Sequence, residues 1–585
     1  MQWKSNLDIW LTQLPEDDPL LSQLMQIQNE NLLEEKFYKE LEFGTGGMRG
    51  IMGPGTNRLN IYTVRKVALG LAKYILNTEI KVSQRSIVVG YDSRHQSKEF
   101  ALEVAKTVGS FGVKAYLFKE LSPTPVLSFA VRNLETSMGV MITASHNPSQ
   151  YNGLKVFGED GAQLTSKAAD QVLDHIKNAG SDLVLDVADE KKLLHDGMLA
   201  YIGEEVTDAY IEALQNIQYQ GNLATRDLPI VFTALHGTAT IPIRKAFDSY
   251  SFTNVYHVPE QELPDPNFST VQSPNPEAAA AFELAIQCAK KYHAELILAT
   301  DPDADRLGVA LRNEVGEYSL LTGNQIGVLI LHYMLEQKLR HGELPRNGVV
   351  IKTIATTEMT RAIGAKFDIK IVDVLIGFKY IAEKILEFEQ TDEYTFLFGF
   401  EESHGYLIED FVRDKDAVQT ALYLAEMAAM YKSQGTTIYQ VLQEIYKEFG
   451  YYRETTTSVI LEGKDGADQI NNILEFFRNN PPEQIHLSTV VKIEDYVTKK
   501  EIDVVTGREI EMEMVLPTSN VLKYYLDDGS WIVIRPSGTE PKCKFYFAVK
   551  AENELIAIEK LKGLENFVLH YVQSNISTSV CYSEI

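Results

Sequence analysis

The chain has 585 residues, with 55 lysines and arginines against 81 aspartates and glutamates, and a formal net charge of −26. The length predicts about three to four domains, and the acidic excess disfavours nucleic acid as a partner because it repels phosphates. The apolar runs are too short to cross a bilayer. The three cysteines lie far apart and lack metal-ligand spacing. We therefore expect a cytoplasmic protein with no nucleic-acid or membrane partner.

The first part of the chain alternates helical and strand-like segments. Residues 1–40 predict an amphipathic helical lead-in, and a glycine-rich loop containing Arg49 follows at 44–55. Apolar positions with a 3.6-residue period predict a helix over 61–75. The β-branched run at 86–90 reads as a buried strand. This alternation predicts α/β units with parallel sheets.

Three later segments share one plan, in which a short strand runs into a polar loop. Residues 229–233 precede ALHGT, residues 296–300 precede DPDADR, and residues 395–400 precede EESHG. In open α/β sheets, ligands bind beyond the carboxyl ends of the strands. We therefore expect the chemistry in these loops. The tail differs, because residues 521–526 and 531–534 flank a DDGS turn and predict an antiparallel hairpin.

The hexapeptide TASHNP, residues 143–148, follows the apolar run MGVMI. It places Ser145 in a turn at a strand end, with His146 and the downstream Lys155 available to manage its proton and charge. A Ser/Asn turn without chemistry is the commoner origin of such residues. An exact match of six residues is rare by chance, however, and Ser145 is our candidate nucleophile.

The segment DPDADR follows the run LILAT and carries Asp301, Asp303 and Asp305. Alternate residues of an extended segment face the same way, so the three carboxylates can converge on one cation. Oxygen ligands without histidine or cysteine favour Mg²⁺ or Ca²⁺, and Mg²⁺ if a phosphate completes the shell. The main alternative is a phosphatase of the haloacid dehalogenase type, in which Asp301 would be the nucleophile and TASHNP would have no role.

Three further segments suit a phosphosugar. Glu401 and Ser403 offer a carboxylate and a hydroxyl to adjacent sugar hydroxyls, although a helix N-terminus would favour the same residues. Lys415 precedes a predicted helix, whose N-terminus adds partial positive charge to an anion-attracting corner. The loop RPSGTEP, residues 535–541, supplies a guanidinium, two hydroxyls and backbone N–H groups for a phosphate. An ordinary proline–glycine turn is the alternative for this loop.

These motifs occur in the order found in the α-D-phosphohexomutases, the phosphoglucomutase/phosphomannomutase superfamily, and the chain resembles the longer phosphoglucomutase branch from about Phe43 to about Phe547. The resemblance implies an α/β fold of four domains around a central cleft, with three related α/β domains and a C-terminal α+β domain. We expect a phosphoserine-loop domain, a metal-binding domain, a sugar-binding domain and a phosphate-binding domain over residues 1–225, 226–342, 343–455 and 456–585.

The resemblance also implies roles for individual residues. The catalytic group would be Ser145, Arg49, His146 and Lys155. The substrate-binding group would be Gly377, Phe378, Lys379, Glu401, Ser403, Lys415, Arg535, Ser537, Gly538 and Thr539. The Mg²⁺ ligands would be Asp301, Asp303, Asp305 and an oxygen of phosphorylated Ser145.

The implied reaction interconverts glucose 1-phosphate and glucose 6-phosphate through a 1,6-bisphosphate, which also acts as activator, in a monomer or homodimer. Phe400 stands where many members have glycine, and His404 lies one place earlier than the histidine of some phosphomannomutases. Mannose and pentose phosphates therefore remain open as substrates. A non-catalytic phosphosugar sensor is a further alternative, which the complete set of nucleophile and carboxylates disfavours.

Overall fold

The computed structural model describes residues 2–44, 47–78, 84–178, 183–217, 219, 226–460, 466–512, 516–536, 542–575 and 581–584. The chain forms two compact units. The first contains Met1–Leu321, Phe378–Gly399 and His404–Gly435, and the second contains Thr322–Gly377, Phe400–Ser403 and Thr436–Ile585. None of the helices in these described ranges is both long and apolar enough to span a membrane.

The predicted helical lead-in consists of three short helices: α1 (Gln2–Gln13), α2 (Pro19–Met25) and α3 (Glu30–Phe37). Their apolar faces meet in a small aromatic core, in which the Trp10 ring lies edge-on to Phe37 and Tyr62 at centroid distances of 5.7 and 5.6 Å. Edge-on packing of aromatic rings is a favoured geometry. The lead-in is therefore anchored to the first α/β domain through Tyr62.

The first sheet has six strands. The elements are β1 (Gly47–Ile51), α4 (Ile61–Asn77), β2 (Ser86–Tyr91), α5 (Ser97–Ser110), β3 (Lys114–Phe118), α6 (Thr124–Asn133), β4 (Met138–Ile142), β5 (Tyr151–Phe157), α7 (Ser166–Lys177), α8 (Glu190–His195), β6 (Leu199–Ile202) and α9 (Glu204–Ala213). The strand order is β1-β5-β4-β2-β3-β6. Strands β4, β2, β3 and β6 run parallel, whereas β5 and β1 are antiparallel to their neighbours.

The second sheet has five strands. After a 3₁₀ turn at Leu214–Ile217, the elements are β7 (Ile230–Thr233), α10 (Thr240–Ser249), β8 (Val255–His257), a 3₁₀ turn (Ala279–Phe282), α11 (Glu283–Tyr292), β9 (Leu296–Thr300), β10 (Leu307–Arg312) and β11 (Tyr318–Leu320). The order is β11-β10-β9-β7-β8. Only β9, β7 and β8 are parallel. Both sheets are thus mixed, where sequence alone predicted parallel strands.

The third α/β segment contains α12 (Gly323–His341), β12 (Gly348–Thr353), α13 (Met359–Phe367), β13 (Lys370–Val374), α14 (Phe378–Thr391), β14 (Thr395–Glu401), β15 (Gly405–Leu407), α15 (Ala417–Ser433) and α16 (Ile438–Phe449). Strands β12 and β13 are parallel. Helix α15 begins after Asp416, whose Oδ1 accepts hydrogen bonds from the backbone N–H groups of Val418 (2.9 Å) and Gln419 (3.0 Å). This cap sets the helix start two residues after Lys415.

The tail is an antiparallel sheet with two long helices. Its elements are β16 (Tyr451–Ile460), α17 (Gly466–Asn479), β17 (Gln484–Ile485), β18 (Ser488–Asp495), β19 (Lys500–Asp503), β20 (Arg508–Glu511), β21 (Leu522–Leu526), β22 (Trp531–Pro536), β23 (Lys542–Ala551), α18 (Glu554–Asn575) and β24 (Cys581–Glu584). The order is β20-β19-β18-β21-β22-β23-β16-β24, with β17 beside β18. Strands β21 and β22 confirm the predicted hairpin. Three mixed α/β segments followed by this tail confirm the predicted fold class.

Candidate active site

Ser145 lies in the turn that follows β4. Its φ is +53°, in the left-handed region that costs free energy for any residue other than glycine. Its backbone N–H donates to Thr143 Oγ1 at 2.8 Å. The side chain is buried, and its hydroxyl donates to Asp301 Oδ2 at 2.8 Å while His146 Nδ1 lies 3.3 Å away. The structure therefore brings the candidate nucleophile directly to the aspartate loop.

The aspartate loop is the hairpin turn between β9 and β10. The carboxylates of Asp301, Asp303 and Asp305 are buried, and their ligand atoms lie within 4.8 Å of one another. Asp301 Oδ1 accepts hydrogen bonds from the backbone N–H groups of Asp305 (3.1 Å) and Arg306 (3.0 Å). These bonds fold the turn back on its first residue. The predicted convergence of the three carboxylates on one point is present.

The ALHGT loop, residues 234–238, packs against the aspartate loop at Pro302. The backbone N–H and the hydroxyl of Thr238 both donate to Pro302 O, at 2.8 and 2.9 Å. A Cβ atom at Gly237 would lie 2.4 Å from Pro302 Cα, so the two backbones can approach this closely only if residue 237 is glycine. The glycine is thus needed to position the aspartate loop.

Two lysines compensate the negative charge. Lys155, on β5, places Nζ 2.6 Å from Asp303 Oδ2 and 2.5 Å from Asp305 Oδ2. Lys415 Nζ lies 3.2 Å from Asp305 Oδ2 and 3.1 Å from Asp414 Oδ1. Burial alone would lower the pKa of Lys155, but the carboxylates of Asp303 and Asp305 raise it above its usual value. The ammonium group therefore stays charged inside the site.

The three carboxylates differ in their electrostatics. Burial, together with the charges of Asp303 and Asp305, holds the pKa of Asp301 well above its usual value. Burial would also raise the pKa of Asp305, but Lys155 and Lys415 outweigh it and hold this pKa well below its usual value. The group thus combines a charged, lysine-bound carboxylate with one whose charge is unfavourable unless a further cation is present.

The donor set fits a hard divalent cation. All the candidate ligands are oxygens, which Mg²⁺ and Ca²⁺ prefer. Asp303 Oδ1 and Asp305 Oδ1 are buried and accept no hydrogen bond from any described residue. Buried carboxylate oxygens are seldom left without a partner. The residues present are therefore suited to hold a metal ion.

Thr124 was missed in the sequence. It begins α6, and its hydroxyl donates to Asp303 Oδ2 at 2.7 Å while its backbone N–H donates to Asp303 O at 2.8 Å. These two bonds fix both the side chain and the backbone of one candidate metal ligand. The only local signal was a threonine between two prolines at the start of a helix, which by itself predicts a helix N-terminus.

Arg49, on β1, contacts the loop after β4 that carries Ser145. This strand pairs with β5 so that Arg49 lies opposite Gly153, and the guanidinium donates from Nη1 to Asn147 Oδ1 at 3.2 Å. Burial lowers the pKa of Arg49, and the nearby aspartate Asp303 acts in the opposite direction. Of the predicted catalytic residues, Arg49 and His146 thus contact Ser145 or its loop, and Lys155 contacts the aspartate loop.

Phe378 and Lys379 lie at the start of α14 in the first unit. Lys379 is mostly buried, with Nζ 3.4 Å from Ser166 Oγ, and burial lowers its pKa to about 8. Lys415 Nζ lies 5.5 Å from the centre of the Phe378 ring, within cation–π range. Gly377 belongs to the second unit and has a φ of +126°, which favours glycine.

Glu401 and Ser403 lie in residues 401–403, the predicted sugar loop, which follows from the end of β14 and belongs to the second unit. The intervening Glu402, which the predicted site omitted, accepts hydrogen bonds at Oε2 from the hydroxyls of Thr353 (2.9 Å) and Thr356 (3.4 Å). These bonds tie the sugar loop to the end of β12.

Phe400 and His404, the two residues at which this chain departs from the family pattern, both pack within the fold. Phe400 covers Gly327 of α12 so closely that a Cβ atom at residue 327 would lie 2.1 Å from the ring. His404 has a φ of +61° and is buried, with Nε2 3.2 Å from Leu321 O. Burial lowers the pKa of His404, which favours the neutral ring.

The predicted phosphate loop, residues 535–541, is described only at residues 535 and 536. Arg535 lies near the end of β22, and its Nε is buried without a hydrogen-bond partner among the described residues. Ser537, Gly538 and Thr539 lie outside the described residues. Their predicted contact with phosphate therefore stays a prediction.

Comparison with protein families gives four successive matches. The matched families are phosphoglucomutase/phosphomannomutase alpha/beta/alpha domain I, alpha/beta/alpha domain II, alpha/beta/alpha domain III and C-terminal domain, over residues 40–182, 208–316, 322–449 and 489–560. Three α/β domains and a C-terminal domain were predicted, and this order confirms them.

Individual relatives match nearly the whole chain. The phosphoglucomutase of Staphylococcus haemolyticus (strain JCSC1435) is 41% identical over 537 residues, which cover 92% of this chain and 95% of that protein. The phosphoglucomutase of Staphylococcus aureus (strain USA300) is 40% identical over 559 residues, or 95% and 98% of the two chains. In fold, the chain is similar to pp63/parafusin (phosphoglucomutase) from Paramecium in its open form, with a TM-score of 0.66 and 18% identity over 93% of this chain and 98% of that chain.

Proposed function

The chain belongs to the phosphoglucomutase/phosphomannomutase family, and from this premise we propose that it interconverts glucose 1-phosphate and glucose 6-phosphate with Ser145 as the phosphoryl carrier. Such an enzyme is an isomerase, because the phosphoryl group only changes position on the sugar. The observation that carries the proposal is the 2.8 Å hydrogen bond from Ser145 Oγ to Asp301 Oδ2, which joins the candidate nucleophile to the candidate metal ligands. Relatives named phosphoglucomutase support glucose as the sugar.

The cycle would consist of two phosphoryl transfers. Phosphorylated Ser145 gives its phosphoryl group to the free hydroxyl of glucose 1-phosphate, and the Ser145 oxygen leaves as the P–O bond breaks. The resulting 1,6-bisphosphate turns over, and Ser145 Oγ attacks the phosphorus of the phosphate on O1. The bond from phosphorus to O1 breaks, glucose 6-phosphate leaves with a hydroxyl at O1, and Ser145 is phosphorylated again. Arg49, His146 and Lys155 are the candidates for moving protons and stabilising charge, since positioning and charge stabilisation supply most of phosphoryl-transfer catalysis.

Asp301, Asp303 and Asp305 would hold Mg²⁺ together with an oxygen of phosphorylated Ser145. When bound, the ion would neutralise negative charge that develops on the transferred phosphoryl group. The two hydrogen-bond-free oxygens, Asp303 Oδ1 and Asp305 Oδ1, support this assignment. A sugar 1,6-bisphosphate would act as activator because it can phosphorylate Ser145 in an unphosphorylated enzyme.

The substrate would be held by two kinds of residue. Glu401 and Ser403 would read sugar hydroxyls, and Gly377, Phe378, Lys379 and Lys415 would bind nearby groups of the substrate. Arg535, with residues 537–539, would grip the phosphate that is not transferred. The lowered pKa of Lys379 supports its place in this set, because perturbed titratable groups concentrate at functional sites.

A phosphatase that uses Asp301 as nucleophile is the main competing reaction. Asp301 Oδ1 accepts two backbone hydrogen bonds and Asp301 Oδ2 accepts the Ser145 hydroxyl, so both oxygens are engaged. The less occupied oxygen, Asp301 Oδ2, is the one that the Ser145 hydroxyl contacts, so Ser145 Oγ lies beside the only position from which Asp301 could attack. This arrangement supports Ser145 over Asp301 as the phosphoryl acceptor.

The proposal extends to the cellular compartment and the oligomeric state of the enzyme. We place it in the cytoplasm, as a monomer or homodimer. The free thiols of Cys288 and Cys543 support a reducing compartment. Mannose and pentose phosphates stay as alternative substrates of the same site.

The test is ³¹P NMR of glucose 1-phosphate incubated with the enzyme, Mg²⁺ and a trace of glucose 1,6-bisphosphate. We expect conversion to glucose 6-phosphate without free phosphate, no turnover after Ser145→Ala, and full turnover after Ser137→Ala. Ser137 is a suitable control because it lies at the other end of β4, where its hydroxyl donates to Gln84 O. Accumulating free phosphate would favour the phosphatase, and turnover of mannose 1-phosphate alone would change the sugar.

A further inference from the structure

The guanidinium of Arg94 holds the backbone of the loop that carries Ser145. Arg94 follows β2, and its Nη1 donates to Pro148 O at 2.9 Å and to Tyr151 O at 3.0 Å. Its Nη2 donates to Ser145 O at 2.6 Å and also to Asn147 O. One side chain thus satisfies four carbonyl groups between β4 and β5, including that of the nucleophile itself.

Arg94 is itself fixed on its other sides. It is 3% exposed, and its Nε lies 3.3 Å from Asp92 Oδ2 in a buried ion pair. Asp92 Oδ1 accepts hydrogen bonds from Ser97 Oγ (2.7 Å) and from the Arg94 backbone N–H (2.9 Å). The Phe268 ring lies 4.9 Å from Arg94 Cζ, within cation–π range. The guanidinium therefore has one defined position and transmits it to the loop.

The loop needs such a support because its conformation is costly. Ser145 has a φ of +53°, and non-glycine residues keep such a conformation only where the surroundings enforce it. The planar guanidinium offers five N–H donors in a rigid fork, whereas a lysine ammonium offers three donors on a flexible stem. A lysine can pair with Asp92 but cannot reproduce the fork that contacts four carbonyls.

We propose that Arg94, oriented by Asp92, is a positioning residue for phosphoryl transfer: it sets the location of Ser145 Oγ through the loop backbone. This inference rests on the proposed function, because it assumes that Ser145 carries the phosphoryl group. Arg94 donates no hydrogen bond to a side chain of the aspartate group. Its charge does act on Asp303 and Asp301 at longer range, and a lysine at residue 94 would keep that charge while losing the contacts to the loop backbone. An error of about 1 Å in the position of a reacting group can lower a rate by about 100-fold.

The test compares Arg94→Lys with Arg58→Lys. Arg58 is a matched control, because it too is buried, pairs with a carboxylate and donates to a backbone carbonyl (Asn57 O, 2.9 Å). Its carboxylate partner, Glu35, belongs to the N-terminal helix α3 and not to the Ser145 loop. Each enzyme is incubated with glucose 1,6-bisphosphate and Mg²⁺, and mass spectrometry gives the fraction of Ser145 that takes a phosphate. The kcat is then divided by the fraction of enzyme whose Ser145 takes a phosphate, so that unfolded protein does not lower the value.

We expect Arg94→Lys to lower this normalised kcat by about 10- to 100-fold with KM within about twofold of wild type, and Arg58→Lys to leave both unchanged. A normalised kcat equal to wild type in Arg94→Lys would overturn the inference while the proposed function stands. Wild-type enzyme that takes no phosphate on Ser145 would instead overturn the proposed function.

A second variant keeps the inference testable if Arg94→Lys does not fold. Asp92→Asn leaves the four carbonyl contacts of Arg94 available but removes the charge that orients the guanidinium. We expect a smaller loss of normalised kcat, about 3- to 10-fold, again with KM unchanged. An Asp92→Asn enzyme that is fully phosphorylated by the bisphosphate and turns over at the wild-type rate would contradict the positioning role.

Discussion

Lys155 Nζ lies 2.6 Å from Asp303 Oδ2, in an ion pair whose two side chains are both buried. The same ammonium group lies 2.5 Å from Asp305 Oδ2, so one cation pairs with two of the three clustered carboxylates. The other oxygens of the same two carboxylates, Asp303 Oδ1 and Asp305 Oδ1, accept no hydrogen bond from the described residues. One face of the carboxylate group is thus compensated by the chain, and the other is suited to a metal ion.

The first prediction concerns Lys155→Met. Removing one partner of a buried ion pair leaves an uncompensated charge and typically costs about 3–5 kcal/mol. We therefore expect a lower melting temperature in EDTA than for wild type. Because Mg²⁺ can replace part of the lost positive charge, it should raise the melting temperature of the variant more than that of wild type. We also expect kcat to fall by at least about 100-fold.

Thermal unfolding with and without Mg²⁺ checks this prediction, with Lys366→Met as the control. Lys366 pairs with Glu448 at 2.7 Å on the surface, where an ion pair contributes about 1 kcal/mol or less. A Lys155→Met melting temperature that does not respond to Mg²⁺ would count against the aspartates as its ligands.

The second prediction concerns Thr124→Val. Replacing the hydroxyl removes the 2.7 Å hydrogen bond to Asp303 Oδ2 but keeps the size of the side chain. Loss of a group that orients a metal ligand typically weakens metal binding by about 10- to 100-fold. We expect the Mg²⁺ concentration for half-maximal protection against thermal unfolding to rise by this factor.

Thr136→Val is the control for this measurement. Thr136 is also buried, but its hydroxyl donates to Met138 O (3.2 Å), at the end of β4 that is distant from Ser145. Equal Mg²⁺ requirements for Thr124→Val and wild type would show that Asp303 needs no support from Thr124.

The contrast between Ser145 and Thr124 shows what the sequence can predict. Ser145 and Asp301 stand in loops that directly follow apolar strands, so a local pattern located both of them. Thr124 acts on Asp303, which is 179 residues further along the chain. No local pattern encodes that contact, because it depends on how the start of α6 meets the turn between β9 and β10.

Strand direction was predicted less well than strand position. Strands β5 and β10 are buried along nearly their whole length, as a parallel strand would be. Both are nevertheless antiparallel to their neighbours. Burial on both faces produces the same continuous apolar run in either direction, so periodicity cannot distinguish them. The β21–β22 hairpin was predictable because its turn residues fix the chain reversal.

The third prediction concerns the pH dependence of Lys379. Burial lowers its pKa to about 8, and the carboxylates of Glu383 and Asp170 only partly offset this effect. In its proposed role the protonated form would bind a phosphate anion, and this positive charge is lost as the pH rises through 8. We expect KM for glucose 1-phosphate to rise by up to about tenfold between pH 7 and pH 9.

Steady-state kinetics at pH 7, 8 and 9 check this rise. Lys379→Arg should flatten the profile, because arginine stays charged throughout this range. Lys384→Arg, at a half-buried position of the same helix where the lysine pairs with Glu387, should keep the wild-type profile. An identical rise of KM in Lys379→Arg would remove Lys379 from the substrate-binding group.

The fourth prediction concerns Glu454, in the first strand of the tail. Burial raises its pKa to about 7, although hydrogen bonding with Thr357 acts in the opposite direction, and its Oε1 has no hydrogen-bond partner among the described residues. Between pH 4.5, the ordinary value, and pH 7, the folded protein keeps a proton that the unfolded chain releases. The free energy of unfolding therefore falls as the pH rises through this interval, by at most about 3 kcal/mol.

Glu454→Gln removes the titrating group and keeps a side chain that can hydrogen bond to Thr357. We expect this variant to unfold at a higher temperature than wild type at pH 8, where Glu454 is charged, and to lose that advantage at pH 5, where the wild-type carboxyl is protonated. Glu483→Gln, at an exposed position of the same unit, should match wild type at both values. A Glu454→Gln variant whose stability follows wild type from pH 5 to pH 8 would show that the Glu454 carboxyl is already ionised and compensated in the folded tail.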